Sequence, residues 1–130
     1  MNMGKGIAVA GDLILDIIKL ITRFPERNGL IRVLDKEYSL GGAVNNTGRD
    51  LAALDPEMPV RLVGIIGKDG EGDEILRQLG AYKNIDTSRI LRQGLTSFTD
   101  VLTEQDSRAR SFLFYGGSND VFGAQHVDIQ

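Results

Sequence analysis

The chain has no cysteine, one histidine, three prolines, and no long apolar run free of charge. Each absence excludes something. Without cysteine there is no disulfide and no thiolate metal site, and nothing calls for an oxidising compartment. A histidine-based triad or zinc site has little to work with, because the single histidine, His126, stands in a polar tail and reads as exposed and inert. The apolar stretch "LILDIIKLI" is broken by Asp16 and Lys19, and it falls short of the roughly 20 residues that cross a bilayer. "MNMGKGIAVAGD" lacks the long apolar region and small-residue cleavage site of a secretory signal. The expected location is therefore cytoplasmic, without membrane partners. Fifteen Lys and Arg against 18 Asp and Glu give a net charge of -3 with no basic block, so nucleic acid is not an expected partner.

What is present fits one folded domain: 130 residues, 42% of them apolar and 25% charged, are near the averages for globular chains. "GIAVAGD" is a short apolar run closed by Gly11, which reads as a buried strand of a sheet covered on both faces. "IIKLITRF" and "LIRVLDKEY" look half exposed, and "FPERNG" between them predicts a hairpin with a longer loop. From Ala43 to Leu54 the spacing turns helical, with Val44, Thr47, Leu51 and Leu54 three or four apart, and Pro56 stops it. "VRLVGIIG" is a second buried strand. "KDGEGDEILRQLG" then predicts a helix with acids in its first turn, Ile75, Leu76 and Leu79 on one side, and Gly80 as C-cap. Strand, helix, strand, helix is the pattern of a parallel α/β unit. After Asp86 short strands return in "RILRQG", "TSFTDVLTE" and "ARSFLFY", the last two joined by "QDSR". Half-exposed hairpins thus interrupt the α/β layer twice.

Two features point to a binding site. In "SLGGAVNNTG", Gly42 precedes a helix, where glycine lets a ligand approach the backbone and first-turn N–H groups can donate to it. The same turn is also explained as a tight strand-to-helix connection with an Asn as N-cap. Asp16 interrupts an apolar run just after a buried strand, where a carboxylate is costly unless it has partners or edges a cleft. Its two oxygens suit neighbouring hydroxyls of a sugar or polyol. A surface turn or cap fits Asp12 better than Asp16. "GIIGKDG" lacks the residues of a P-loop, "DGEGDE" lacks the spacing of an EF-hand, and the sequon "NNT" means little without a secretory signal.

Taken in order, "GDLILD", "GGAVNNTGRDLAAL", "RLVGIIGKDGEGDEIL" and "TSFTDVLTEQDSRARSFLFYGGSND" resemble the N-terminal part of a ribokinase-like carbohydrate kinase of the PfkB family. The second segment resembles that family's Gly-Gly-x-x-x-Asn signature, with Asn46 in the Asn position. The resemblance implies an α/β, ribokinase-like fold: a partial parallel-sheet body from residues 1–15, 39–85 and 116–130, and a small β-sheet lid from the hairpin regions 16–38 and 88–115. It implies an ATP-dependent kinase acting on a hydroxyl of a small sugar or sugar acid. Asp16 holds substrate hydroxyls, Gly42 is the close-approach backbone position and Asn46 bonds another hydroxyl. Phe98, Arg110 and Phe112 become lid contacts.

Further implications concern partners and missing parts. The resemblance implies a homodimer formed through the lid, while the uncovered apolar residues Ile18, Leu20, Phe98, Phe112 and Phe114 need a cover, either substrate with the body or another subunit. "GGSN" at 116–119 resembles the family's turn out of the lid. Ile14 and Ala43 depart from the pattern of members that use ribose, and Arg108 with Arg110 offers a grip for an acidic sugar. The family's downstream Gly-Ala-Gly-Asp segment, which carries the catalytic Asp, does not occur in these 130 residues. No catalytic and no metal residue is therefore assigned here. ATP and Mg belong to the full-length parent, and the chain by itself is expected to be inactive. The alternatives are a non-enzymatic sugar-binding or sensing remnant of the fold and, last, a dinucleotide-binding oxidoreductase domain, which "VAGDLILD" does not fit.

Overall fold

The structure, a computed structural model, describes residues 5–127. The ends of the expected body segments, residues 1–4 and 128–130, lie outside them. Among the described residues seven strands and two helices follow one another as β1 (Ile7–Ala10), β2 (Ile14–Ile21), β3 (Val33–Gly41), α1 (Ala43–Leu54), β4 (Val60–Ile66), α2 (Gly70–Leu79), β5 (Ile85–Arg92), β6 (Phe98–Glu104) and β7 (Arg110–Tyr115), with two short 3-10 turns after β7. They make two sheets: a three-stranded sheet in the order β1-β4-β5 and a four-stranded sheet in the order β3-β2-β6-β7. The first is parallel throughout. The second is two antiparallel hairpins joined by a parallel β2–β6 pair.

Three expectations need correction. The run "RILRQG" does not join the outlying hairpins: Arg89 to Arg92 pair with Val63 to Ile66, as β5 of the parallel sheet. Ile90 packs into the core cluster there, a burial that an outlying strand would not provide. Second, β1 is largely exposed rather than buried, since it pairs on one side only, with β4, and α1 packs against it. Third, the buried stripe of α1 is Val44, Gly48 and Ala52, while Leu54 is 81% exposed. The helix sits close because Gly48 has no side chain: a Cβ there would stand 2.5 Å from a Leu62 methyl.

α2 begins as its acids predict. The Asp69 side chain caps it by accepting from the Gly72 N–H at 2.9 Å, and Glu71 and Asp73 lie in the first turn. The same carboxylate accepts from the Thr96 N–H at 2.7 Å and from its hydroxyl at 2.5 Å, while that hydroxyl accepts from the Gly67 N–H at 2.8 Å. Burial works against the charge of Asp69, but the bonds from Thr96 and Gly72 and the nearby Arg92 outweigh it and hold the carboxyl below its ordinary value. This knot ties α2 to the β5–β6 passage and so places β6 beside β2. His126 is also more engaged than expected. It is half-buried, its Nδ1 accepts from the Gly123 N–H at 3.0 Å, and its ring stacks on Phe122.

One core serves both sheets. Leu13, Leu15 and Leu40, at the base of the second sheet, pack in the same cluster as Val44, Leu62, Ile66, Ile75 and Leu79. The outer strand of that sheet, β7, carries exposed Phe112, Leu113 and Phe114. The chain passes between the sheets three times, from β1 to β2, β3 to β4 and β5 to β6, and these passages hold Gly11, Gly42 and Gly94 with positive φ; Gly117, where the chain leaves β7, has it as well.

Candidate functional site

The site forms where β2 and β3 leave the body. Gly42 is itself the N-cap of α1, at φ 85 and ψ 158, a region that is essentially glycine-only. A Cβ there would lie 2.7 Å from the Asp12 carbonyl. That carbonyl accepts from the Val44 N–H at 3.1 Å, and the Asn46 N–H donates to the Gly42 carbonyl at 3.1 Å. The Val44 N–H is thus taken up by the β1–β2 connection, the Asn46 N–H makes the first bond of the helix itself, and no Asn side chain serves as the cap.

Asp16 lies inside β2, paired with Ser39 of β3 on one side and Thr99 of β6 on the other. Its carboxylate stands directly over Gly41. A Cβ on Gly41 would meet the two Asp16 oxygens at 2.7 and 2.8 Å. Burial pushes the Asp16 carboxyl above its ordinary value, and a hydrogen bond from the Thr99 side chain pulls the other way. A carboxylate partly stripped of water, with one side-chain bond holding it, is prepared to accept from hydroxyl groups brought to it.

The two asparagines divide their work. Asn45 is fully buried, and its Nδ2 donates to the carbonyls of Gly41 at 2.8 Å and Ile14 at 3.3 Å. Ile14 and Gly41 are cross-strand partners, so one amide clamps both strands just below Asp16. Asn46 is exposed, and its Oδ1 accepts from an Arg49 Nη at 2.9 Å. From the other end of the chain, Asn119 fixes the backbone ahead of Asp16: it accepts from the Leu13 N–H at 3.3 Å and donates to the Leu13 carbonyl at 3.0 Å. The neighbouring Ser118 hydroxyl donates to the Ile65 carbonyl at 2.9 Å. "GGSN" is therefore a clip between β4 and the start of β2.

The expected contacts from the second sheet do not all share one face. By register, Asp16 lies in a row with Ser39, Thr99 and Phe114, and the next row on that face holds Ile18, Val101 and Phe112. Arg110 is one row further, opposite Thr103, about 13 Å along the strands from the Asp16 row at roughly 3.3 Å per residue. Its guanidinium lies over the Phe112 ring, 5.7 Å from the centroid. Phe98 has the opposite parity, beside Leu15, and packs against Tyr115 with ring centroids 5.5 Å apart. Phe112 thus shares the face of Asp16 near at hand, Arg110 shares it at a distance, and Phe98 is turned away. Sequence reasoning missed Gly41, Asn45, Thr99, Asn119 and Arg49. The i, i+3 spacing of Asn46 and Arg49 was a readable signal, whereas Gly41 and Thr99 needed strand register.

This two-sheet arrangement is the ribokinase-like α/β fold. The ribokinase of Arabidopsis thaliana, solved with ribose and ATP, matches with a TM-score of 0.80 at 25% identity over 90% of this chain and 38% of its own. A nucleoside kinase of Methanocaldococcus jannaschii, described as an archaeal member of the ribokinase family, matches with a TM-score of 0.74 at 25% identity over 89% of this chain and 39% of its own. A fructokinase from Xylella fastidiosa shares the fold with a TM-score of 0.70 at 24% identity, covering 95% of this chain and 38% of its own. In sequence, GMP reductase of Streptococcus pneumoniae (strain Hungary19A-6) is 33% identical over 75 residues, 55% of this chain and 23% of that protein. The description "pfkB family carbohydrate kinase" matches residues 5–130. The chain belongs to the pfkB family, and it spans well under half the length of the kinases it resembles.

Proposed function

We propose that this chain is the substrate-binding part of an ATP-dependent carbohydrate kinase that phosphorylates a hydroxyl of a small sugar or sugar acid. The observation that carries the proposal is the Asp16 carboxylate. It is partly desolvated, seated on Gly41 beside the first turn of α1, and on the face of the second sheet that carries Phe112 and Phe114. In this reading Asp16 accepts from substrate hydroxyls and Asn46 bonds a further one. Gly42 sets the turn that brings Asn46 and Asp16 to one end of the second sheet.

The second sheet acts as a lid over the sugar, with β2–β3 and β6–β7 as its two hairpins. Its exposed apolar face, with Phe112 and Phe114, fits a homodimer contact or substrate cover. Among the described residues no group of three or more His, Asp or Glu stands together as a cation site. In this reading ATP and Mg are bound by the full-length kinase, of whose length this chain spans well under half. The chain by itself is then inactive. Among the described residues no helix is long and apolar enough to cross a membrane.

The test is sugar phosphorylation and sugar titration with the full-length kinase and its Asp16→Ala variant. Both should collapse in the variant, and unchanged sugar affinity would remove the site assignment. Phosphorylation by the isolated 130-residue chain would overturn the division of labour.

A further inference from the structure

Arg49 makes three hydrogen bonds around the Gly41–Gly42 turn. Its Nε donates to the Asn45 carbonyl at 3.2 Å, and one Nη donates to the Leu40 carbonyl at 3.2 Å and to Asn46 Oδ1 at 2.9 Å. Leu40 is the last but one residue of β3, and Asn45 is in the first turn of α1. The guanidinium therefore spans the strand-to-helix turn from the outside. It also decides which way an amide faces. Arginine has five N–H donors and no acceptor, so the Asn46 atom that meets it must be the carbonyl oxygen, and both N–H groups of Nδ2 are left for another partner.

We propose that Arg49 is a positioning residue that commits Asn46 to donate, so that the site pairs an acceptor, Asp16, with a donor, Asn46 Nδ2. The inference rests on the sugar-site reading above and sharpens it. An ionised Asp16 takes only hydrogen-bond donors. A substrate hydroxyl that donates to Asp16 can receive from Asn46 through its lone pairs, and a ring or carbonyl oxygen can receive from Asn46 as well. The substrate class is thus a polyol or sugar that presents a hydroxyl beside an accepting oxygen. If Asn46 were free to rotate, half of its orientations would offer an acceptor to the substrate oxygen, and affinity and discrimination would both fall.

The experiment is calorimetric titration of D-fructose and D-ribose into the full-length kinase, for wild type, Arg49→Met, Arg49→Lys, Asn46→Ala, Asn46→Asp, Asp16→Ala and the Arg49→Met/Asn46→Ala double variant. Thermal melts of each variant check folding. A donating orientation populated only half the time predicts that Arg49→Met weakens sugar binding about twofold. The same change should have no effect on the Asn46→Ala background, because the two residues act through one bond. Arg49→Lys, which keeps a donor, should recover part of the loss. Asn46→Asp has the shape of the amide without its N–H groups, so it should bind as weakly as Asn46→Ala. An Arg49→Met effect that is absent, or equal in both backgrounds, overturns the proposal, as does wild-type affinity in Asn46→Asp. The two failures are distinct: if Asp16→Ala and Asn46→Ala leave affinity unchanged, the sugar site itself is wrong. If those two abolish binding and the coupling is missing, only the role of Arg49 falls.

Discussion

Gly41→Ala separates binding from folding at a single methyl group. The backbone at Gly41 is not in the positive-φ region, so alanine meets no conformational barrier there. Its Cβ would lie 2.7 and 2.8 Å from the Asp16 oxygens and 2.9 Å from the carboxyl carbon. Ordinary contact begins near 3.4 Å, so the carboxylate must retreat by about 0.7 Å, and displacements on the order of 1 Å at a functional group can cost about 100-fold. A lost charge-assisted hydrogen bond is worth about 1.5–3 kcal/mol, or about 10- to 100-fold in Kd. What moves is the end of a side chain, so stability should stay within about 0.5 kcal/mol of wild type. Gly42→Ala makes the contrast. Its φ of 85 and a Cβ 2.7 Å from the Asp12 carbonyl should cost about 1–3 kcal/mol in folding, visible as a lower midpoint in urea. Sugar titration and urea unfolding of both variants decide the matter. If Gly41→Ala binds sugar with wild-type affinity, the position of the Asp16 carboxylate over Gly41 has no bearing on function.

Two further predictions concern the carboxylates. The folded state raises the pKa of Asp16, through burial, so the folded protein holds that proton more tightly than the unfolded chain. The group therefore costs stability as pH rises from the ordinary carboxyl value of 3.8 through the raised one, and Asp16→Asn should unfold at higher urea than wild type at pH 7 while losing sugar binding. A variant less stable at pH 7 would refute the desolvation argument. Asp69 is the opposite case: its lowered pKa contributes stability above 3.8 that is lost as pH falls through the folded value. Asp69→Ala strips a helix cap worth about 1 kcal/mol and leaves the Thr96 donors unpaired at about 1–3 kcal/mol, so urea unfolding at pH 7 should show a loss of about 2–4 kcal/mol. A loss near zero would mean that water replaces the carboxylate in the knot.

Local pattern was enough for some elements and insufficient for others. The acids ahead of Ile75, and that residue's spacing from Leu79, place α2, because capping and helical periodicity are properties of neighbours in sequence. The span Ala43–Leu54 was equally legible, yet its buried face was not: Gly48 and Ala52 are inside because Leu62 comes close, a fact of packing rather than of hydropathy. "RILRQG" alternates like any half-exposed strand, and only its pairing with Val63 to Ile66 assigns it to the parallel sheet. Phe98 and Phe112 look alike as exposed aromatics in sequence. Strand parity places them on opposite faces.

The sequence alone determined that the chain lacks cysteine and a basic block, that two α/β steps are interrupted by hairpins, and that Asp16 and the Gly-Gly-x-x-x-Asn segment need explaining together. Those are matters of composition, spacing and the cost of a charge in an apolar run. Only the tertiary structure decided that Gly41 carries Asp16, that Asn45 clamps Ile14 to Gly41, and that Arg49 donates to the Asn46 amide oxygen. Each of these depends on strand register or on a side chain reaching back across a turn. Register is set by how whole sheets bury their apolar faces, so it cannot be read from any short stretch of chain.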